Sequence, residues 1–192
     1  DAFLHHSDLG AQYKTLQKWT KLVISGKQPV SKIDKFKLEA DIEKKGKMQD
    51  YVSSSQLVLV QVAKEPIGSK GPRLTADVTL PGRFLVLVPF SDKVNLSSKL
   101  RNDKEKKRLK SLINSIRPPG FGIIVRTVAE GKKSADLYSD LSDLMKRWDE
   151  LYNGLKRAKQ GKRILGELNK TSTVLRDVLR PECEMIRVND EK

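Results

Sequence analysis

The sequence predicts an α+β protein in which short strands and amphipathic helices follow one another along the chain. Apolar runs rich in β-branched residues recur at Gln56–Ala63, Arg83–Val88 and Ile123–Thr127, as expected of buried strands. Further on, large apolar residues repeat every three or four positions, as expected of one long helix with a buried stripe. Both kinds of element are therefore expected in this one chain.

The N-terminal region predicts a short strand around Ala2–His5 and a helix over Ala11–Ile24. A lysine-dense segment follows from Ser25 to Gly46. We expect it to be loosely packed, because its large apolar residues are too sparse to hold it deeply: Ile33, Phe36 and Ile42. Such a segment can contact a polyanion, although a solvated face is the commoner outcome.

The middle of the chain predicts a hairpin and then a helix. Leu74–Leu80 alternates apolar and polar residues, which is typical of a half-buried strand. Pro81-Gly82 turns that strand into the run Arg83–Val88. Asn102, with an acid three residues later, is typical of a helix start, and the apolar spacing carries this helix to Ile116.

The long helix begins near Ser134, and its buried stripe consists of Leu137, Leu141, Leu144, Trp148, Leu151 and Leu155. This spacing indicates core or helix-pairing surface, with no chemistry of its own. A short segment at Arg163–Leu168, a helix opened by Thr171 or Ser172 that ends at Leu179, and a strand over Glu184–Val188 complete the predicted elements.

Charge and composition narrow the classes of function. The net charge is +14, from 38 Lys and Arg against 24 Asp and Glu. That excess favours a polyanionic partner, because each neutralised phosphate releases condensed counterions; solubility alone is the alternative. One cysteine excludes a disulfide framework. Without a signal peptide or an apolar run of ~18 residues, we expect a cytoplasmic protein outside the membrane. Its non-methionine start suggests a fragment.

Candidate catalytic and metal-binding groups are few. Asp136, Asp140 and Asp143 share one helix face, which favours a solvated helix start over a metal site. His5 and His6 are adjacent in a predicted strand and so point to opposite sides. The sequence contains neither a phosphate loop of the nucleotide-hydrolase type nor a nucleophile elbow. By itself, this chain is predicted to hold no catalytic residue and no metal.

Features that could bind an anion are clearer. Gly82 opens one apolar run and Arg126-Thr127 ends another, so bare backbone, a guanidinium and a hydroxyl could meet one small anion. Lys70 lies in a turn, from which a long cation could reach a phosphate. The simpler alternatives stay open: an arginine paired with an acid, a solvated turn lysine, and a core role for Phe3 instead of base stacking.

From about Leu57 to Asp190, these motifs resemble the bacterial ribonuclease E/G family in order and spacing. The resemblance rests on Lys70-Gly71, then Gly82 with Leu85-Val86-Leu87-Val88-Pro89, then Ile124-Val125-Arg126-Thr127. It implies a partial S1-type OB barrel at 1–73, with a lysine-rich insertion at about 25–47 that the family pattern lacks. A 5′-sensor region at 74–162 and a ribonuclease-H-like segment at 163–192 would follow.

The resemblance also implies residue roles. Gly82 and Val86 would offer backbone to the 5′-monophosphate of an RNA, and Arg126 and Thr127 would hydrogen-bond it. Lys70 and Phe3 would be S1-domain contacts to RNA.

The implied full-length protein is an Mg²⁺-dependent endoribonuclease that processes and degrades single-stranded rRNA and mRNA, preferably 5′-monophosphorylated. Its Mg²⁺ would be bound by aspartates of a DNase-I-like domain, and Zn²⁺ at a cysteine link, both outside this chain. Oligomerisation would also use parts absent here, and this chain alone would not cleave RNA.

Two other classes of function remain open from the sequence. A non-catalytic S1-like module would bind single-stranded RNA without regard to its 5′ end and with a steep salt dependence. A basic domain for acidic proteins or membrane surfaces is disfavoured, because the lysine-rich stretch has few aromatic residues to enter a membrane.

Overall fold

Two small mixed sheets organise the chain in the computed structural model, which describes residues 1–43, 46–166, 170–179 and 183–187. In the first sheet, β1 (Phe3–Leu4) runs parallel to β3 (Arg73–Thr75), and β2 (Gln61–Lys64) pairs antiparallel with the other edge of β3. Among the described residues neither sheet closes into a barrel. The mixed α+β class is confirmed.

The second sheet has the strand order β4-β5-β7-β6. Its strands are β4 (Leu80–Pro81), β5 (Leu85–Pro89), β6 (Val94–Leu96) and β7 (Phe121–Val125). Strands β4, β5 and β7 are antiparallel neighbours, whereas β6 runs parallel to β7. The predicted hairpin is present, with Leu80 opposite Leu87. Buried and half-buried residues alternate along β5, so one face of this sheet packs on the core.

The helices are α1 (Tyr13–Ile24), α2 (Asp103–Ile116), α3 (Ser134–Lys156) and α4 (Lys170–Val178). Short 3-10 turns occur at His6–Asp8, Met48–Asp50 and Thr127–Ala129. The Asn102 side chain accepts the backbone N–H groups of Lys104 and Glu105 at 3.0 and 3.2 Å, so the predicted cap of α2 is confirmed. In α3 the whole predicted stripe is buried.

An aromatic cluster joins α1, α3 and the second sheet. The rings of Trp19 and Trp148 stack with centroids 4.7 Å apart, and Phe121 meets Trp148 edge-on at 5.3 Å. Phe90 adds a second edge contact to Trp19. These side chains belong to the larger of two buried clusters, so α1 and the sheet share one core.

The lysine-rich segment is tied to this core, and the prediction that it packs loosely was wrong. Ile33 is only 3% exposed. The indole N–H of Trp148 donates to the Ser31 carbonyl at 2.9 Å, and the Tyr152 hydroxyl donates to the Gln28 carbonyl at 2.9 Å. Sparse apolar residues suffice here because the core also satisfies the segment's backbone groups. Lys44 and Lys45 lie outside the described residues.

Several predicted strands differ from the structure. Leu74–Leu80 is divided between β3 and β4, which belong to different sheets. The chain leaves the ladder because the Ala76 N–H donates to the Asp8 carbonyl and the Thr79 N–H to the Gln61 side chain.

Other strand boundaries also differ from the predicted ones. Only the end of Gln56–Ala63 is strand, and β7 stops at Val125 instead of Thr127. Residues 184–187 have no regular structure, so the strand predicted at Glu184–Val188 was wrong there; Val188 is outside the described residues.

Within the described residues, no helix combines the length and the apolar character needed to cross a lipid bilayer.

The buried stripe of α3 gives a test of the fold. Leu144 is 2% exposed and Tyr138 is 63% exposed on the same helix. We expect Leu144→Ala to lower the free energy of unfolding by ~2–5 kcal/mol, because it leaves a cavity in the core. Tyr138→Ala should change it by no more than ~0.5 kcal/mol. Urea denaturation followed by tryptophan fluorescence measures both, and equal effects would contradict the assigned face of α3.

Candidate anion-binding site

The turn between β4 and β5 presents successive backbone N–H groups to one point. Gly82 begins the turn, and its own N–H donates to the Leu85 carbonyl at 2.8 Å. The next three N–H groups, of Arg83, Phe84 and Leu85, converge on the carboxylate of Asp140 at 2.8–2.9 Å. Converging backbone N–H groups form a concavity that suits an anion. In this structure the anion is a side chain of α3.

Gly82 is needed for this approach. A Cβ at that position would lie 2.7 Å from one carboxylate oxygen of Asp140, which is too close for a real contact. Glycine therefore leaves room for the Asp140 carboxylate, and the hydrogen bonds of that carboxylate connect the turn to α3. The expectation that Asp140 is a solvated helix-start acid was wrong.

Asp136, Asp140 and Asp143 of α3 each have a partner within the fold. Both carboxylate oxygens of Asp140 accept hydrogen bonds from N–H groups of the turn. Asp136 accepts the Lys133 N–H at 3.2 Å, and Asp143 pairs with Lys146 at 2.8 Å. No group of three or more His, Cys, Asp or Glu among the described residues could hold a metal ion.

Arg126 crosses from β7 to the same turn. Its backbone N–H donates to the Phe84 carbonyl at 2.8 Å, and its Nη1 donates to the Gly82 carbonyl at 2.8 Å. The same nitrogen lies 2.8 Å from a carboxylate oxygen of Asp177 in α4. The predicted alternative of an arginine paired with an acid is thus present.

The position of Asp177 is held by two arginines. Hydrogen bonds from Arg176 and then from Arg126 hold the pKa of this carboxyl below its usual value, against the opposing effect of burial. The Arg126 side chain as a whole is 30% exposed. It is therefore both occupied by an acid and reachable from solvent.

Thr127 and Val86 lie near the contact between Arg126 and Gly82 but take no part in it. The Thr127 hydroxyl lies 3.0 Å from the Ser97 hydroxyl, on the β6 side of the sheet. Val86 is opposite Ile124 in the β5–β7 ladder, four residues after Gly82. The structure thus brings Gly82 and Arg126 into direct contact, with Thr127 next along the chain and Val86 on the neighbouring strand.

Helix α2 secures the loop that follows Thr127. Glu105 accepts the Gly131 N–H at 2.9 Å and a two-point hydrogen bond from Arg108 at 2.7 Å. Arg108 also donates to the Lys132 carbonyl at 3.0 Å. The Arg108 hydrogen bonds, followed by that of Gly131, lower the pKa of Glu105 to about 2.

Phe3 and Lys70 lie together at the first sheet. The Phe3 N–H donates to the Pro72 carbonyl at 2.9 Å, and its ring is 58% exposed, so the alternative of a core role was wrong. Lys70 closes a turn with Ile67 through two backbone hydrogen bonds of 3.1 Å. A Cβ at Gly71 would lie 1.7 Å from the Asp1 carbonyl oxygen, so this turn lies against the start of β1.

Comparison with known proteins identifies the family of this chain. Residues 79–192 match the Ribonuclease E/G family. This range is more than half of the chain, and it contains the β4–β5 turn, Arg126 and Asp140. The chain belongs to the Ribonuclease E/G family. The predicted resemblance is confirmed.

The relatives are much longer than this chain. Ribonuclease E of Nostoc sp. is 42% identical over 131 residues, which are 68% of this chain and 18% of that protein. Ribonuclease G of Escherichia coli is 37% identical over 142 residues, 74% of this chain and 29% of that protein. Ribonuclease E of Synechocystis sp. is 45% identical over 104 residues, 54% of this chain and 15% of that protein. The chain spans less than a third of the length of each of these family members.

Sequence reasoning missed the structural roles of the acids that support this candidate site, namely Asp140, Asp177 and Glu105. The available signal for Asp140 was its place three residues after Leu137 and one before Leu141, at the edge of a buried stripe.

Removal of the Asp140 carboxylate tests its structural role. Asp140→Ala leaves three N–H donors of the turn without their acceptor, and each such group costs ~1–3 kcal/mol where it stays shielded from water. We expect a loss of at least ~2 kcal/mol in the free energy of unfolding. Asp143→Ala, on the same helix and 66% exposed at its side chain, should be near neutral. Equal losses in urea denaturation would contradict this role.

The Glu105 contact predicts a pH dependence. Its pKa is about 2 in the folded protein against an ordinary 4.5, so the contact stabilises the fold fully above pH 4.5. That stabilisation is lost as the pH falls from 4.5 towards 2. The stability difference between the wild type and Glu105→Gln should therefore shrink across this window. Urea denaturation at a series of pH values measures it, with the exposed Glu150→Gln as control; a constant difference would contradict the contact.

Proposed function

We propose that this chain is the part of a ribonuclease E/G enzyme that binds the 5′-monophosphorylated end of single-stranded RNA. The observation that carries the proposal is the contact of Arg126 with the β4–β5 turn, where Nη1 meets both the Gly82 carbonyl and an acidic oxygen of Asp177 at 2.8 Å. A guanidinium that holds a carboxylate oxygen can hold a phosphate oxygen by the same charge-assisted hydrogen bonds. Family membership supports an RNA ligand.

The selectivity follows from size and from unpaired donors. A terminal monophosphate is small enough for a cradle made of Gly82, Val86, Arg126 and the Thr127 hydroxyl. A triphosphate is too large for it, and a 5′-hydroxyl carries no charge with which to compete for the guanidinium. The phosphate would exchange places with Asp177 on the guanidinium.

A second contact with the RNA lies at the first sheet. The exposed ring of Phe3 can stack on a base, and Lys70 can meet a backbone phosphate. Two contacts on one strand raise the effective concentration of the RNA at each. In this proposal residues 1–73 are a partial S1-type region, 74–162 the 5′-sensor region, and 163–192 a ribonuclease-H-like segment.

Cleavage belongs to the whole protein in this proposal. Mg²⁺ and Zn²⁺ would be bound in parts of the full protein outside this chain, as the family resemblance implies. The full protein would process rRNA and mRNA in the cytoplasm and would oligomerise through other parts. This chain contributes binding and orientation of the RNA, and no proton or bond is moved by its residues.

The alternative is a non-catalytic S1-like module that binds single-stranded RNA anywhere along its length. It is favoured by the exposure of Phe3 beside the Lys70 turn and by the net charge of +14. It differs from the first proposal in one property, the indifference of binding to the 5′ end.

Fluorescence anisotropy with a short single-stranded RNA separates the two. We expect the wild type to bind a 5′-monophosphate RNA more tightly than its 5′-hydroxyl form by roughly tenfold, the worth of one charge-assisted contact. Arg126→Ala should abolish this preference. Arg101→Ala, which removes the same charge from an exposed position, should retain it. Equal binding of both ends by the wild type would reject the 5′-end site and favour the alternative.

A further inference from the structure

A basic groove runs along α1, apart from the β4–β5 turn. It has a volume of about 600 Å³ and is open to solvent. We call it the α1 groove and define it by six of its lining residues: Tyr13, Lys14, Gln17, Lys18, Lys21 and Tyr51. None of these residues takes part in the candidate 5′-end site, so the groove needs its own explanation.

The groove carries a linear array of cations. Lys14, Lys18 and Lys21 follow at intervals of four and three residues, so they lie on one face of α1 and are spaced by ~5–6 Å along it. Among the described residues that line the groove, only Glu39 is acidic, and it pairs with Lys18. Its hydrogen bond with Lys18 lowers the pKa of Glu39. Lys14 and Lys21 make no salt bridge within the described residues and project a positive charge into the groove.

The floor of the groove has an unused amide. Gln17 is 6% exposed, and its side-chain nitrogen and oxygen have no well-formed hydrogen bond among the described residues, the Tyr13 hydroxyl being a polar neighbour. A buried amide without well-formed hydrogen bonds destabilises the fold. A ligand with donors as well as acceptors would relieve that cost, whereas a simple inorganic anion would satisfy only the nitrogen. The amide thus points to a ligand with hydroxyls or base edges in addition to charge.

An aromatic wall connects the groove to the first sheet. Lys14 Nζ lies 5.5 Å from the centre of the Tyr51 ring, and that ring contacts the His6 ring at 5.5 Å. His6 is three residues from Phe3, a Cα separation of at most ~11 Å. The α1 groove therefore begins close to the exposed ring that we propose stacks on a base.

We infer that the α1 groove binds the sugar-phosphate backbone of single-stranded RNA, at a site separate from the 5′ end. Lys14 and Lys21, ~10 Å apart along α1, pair with two phosphates of one strand, and Gln17 hydrogen-bonds a ribose 2′-hydroxyl or a base edge. The inference rests on the proposed function only in its choice of RNA as the ligand. The phosphates of single-stranded RNA lie on its outside, where exposed lysine side chains can reach them.

Two double variants of the full chain, each of which removes two lysine charges, test RNA binding by the groove. The variant Lys14→Gln/Lys21→Gln is compared with Lys107→Gln/Lys110→Gln, which removes two exposed lysines from α2. Affinity for 5′-monophosphate and 5′-hydroxyl RNA is measured by anisotropy over a salt series. Loss of two phosphate contacts should weaken binding of both RNAs about tenfold near ~0.1 M salt and lower the salt slope by ~1.4. The α2 variant should bind nearly as the wild type does.

The ratio of the two RNA affinities separates this inference from the proposed function. The α1 variant should keep the 5′-monophosphate preference while it loses affinity. If the wild type has no such preference and the α1 variant still weakens binding selectively, the 5′-end proposal fails alone. Equal losses in the α1 and α2 variants, or no loss in either, would overturn the groove. So would tighter competition by polyglutamate than by unlabelled RNA of equal charge, which would indicate an acidic protein partner.

A second variant guards against a general effect of charge. Gln17→Leu removes the buried amide without changing the net charge, and it should cost the fold little stability because the amide makes no well-formed hydrogen bond in it. We expect this variant to bind RNA several-fold more weakly with an unchanged salt slope. Unaltered affinity in Gln17→Leu would contradict the contact between Gln17 and RNA.

Discussion

The carboxylate of Asp140 holds the β4–β5 turn in its observed shape. It gathers the N–H groups of Arg83, Phe84 and Leu85 at 2.8–2.9 Å, and it can do so only because Gly82 has no Cβ. The shape of this turn directs the Gly82 carbonyl towards Arg126. A carboxylate with three backbone donors is a strong, geometrically defined contact. The candidate 5′-end site therefore depends on an acid that itself does not meet the RNA.

The register of α3 follows from its buried stripe. Leu137, Leu141 and Leu144 are at most 4% exposed, and rotation of the helix would remove them from the core. That burial sets which face Asp140 occupies, so the hydrophobic core determines the position of a polar group at the turn. The same core includes Trp19 of α1, which links the α1 groove and the second sheet through shared packing.

Local patterns in the sequence predicted the elements whose stability is local. The stripe of α3, the Asn102 cap and the hairpin at Pro81-Gly82 all agree with the structure, because each depends on residues a few positions apart. The division of Leu74–Leu80 and the burial of Ile33 were missed, since they depend on Asp8, Gln61 and the aromatic cluster far away in sequence. The partners Asp140 and Asp177 were missed for the same reason: 57 and 51 residues separate them from Arg83 and Arg126.

Binding of a terminal phosphate at Arg126 and the β4–β5 turn can be observed by NMR titration of the ¹⁵N-labelled chain with a short 5′-monophosphate RNA, with the 5′-hydroxyl RNA as reference. We expect the shifts specific to the monophosphate to concentrate in the backbone amides of residues 82–86 and the side-chain Nε–H of Arg126. Monophosphate-specific shifts that are absent there, with all changes at β1, the Lys70 turn and α1 common to both RNAs, would contradict it.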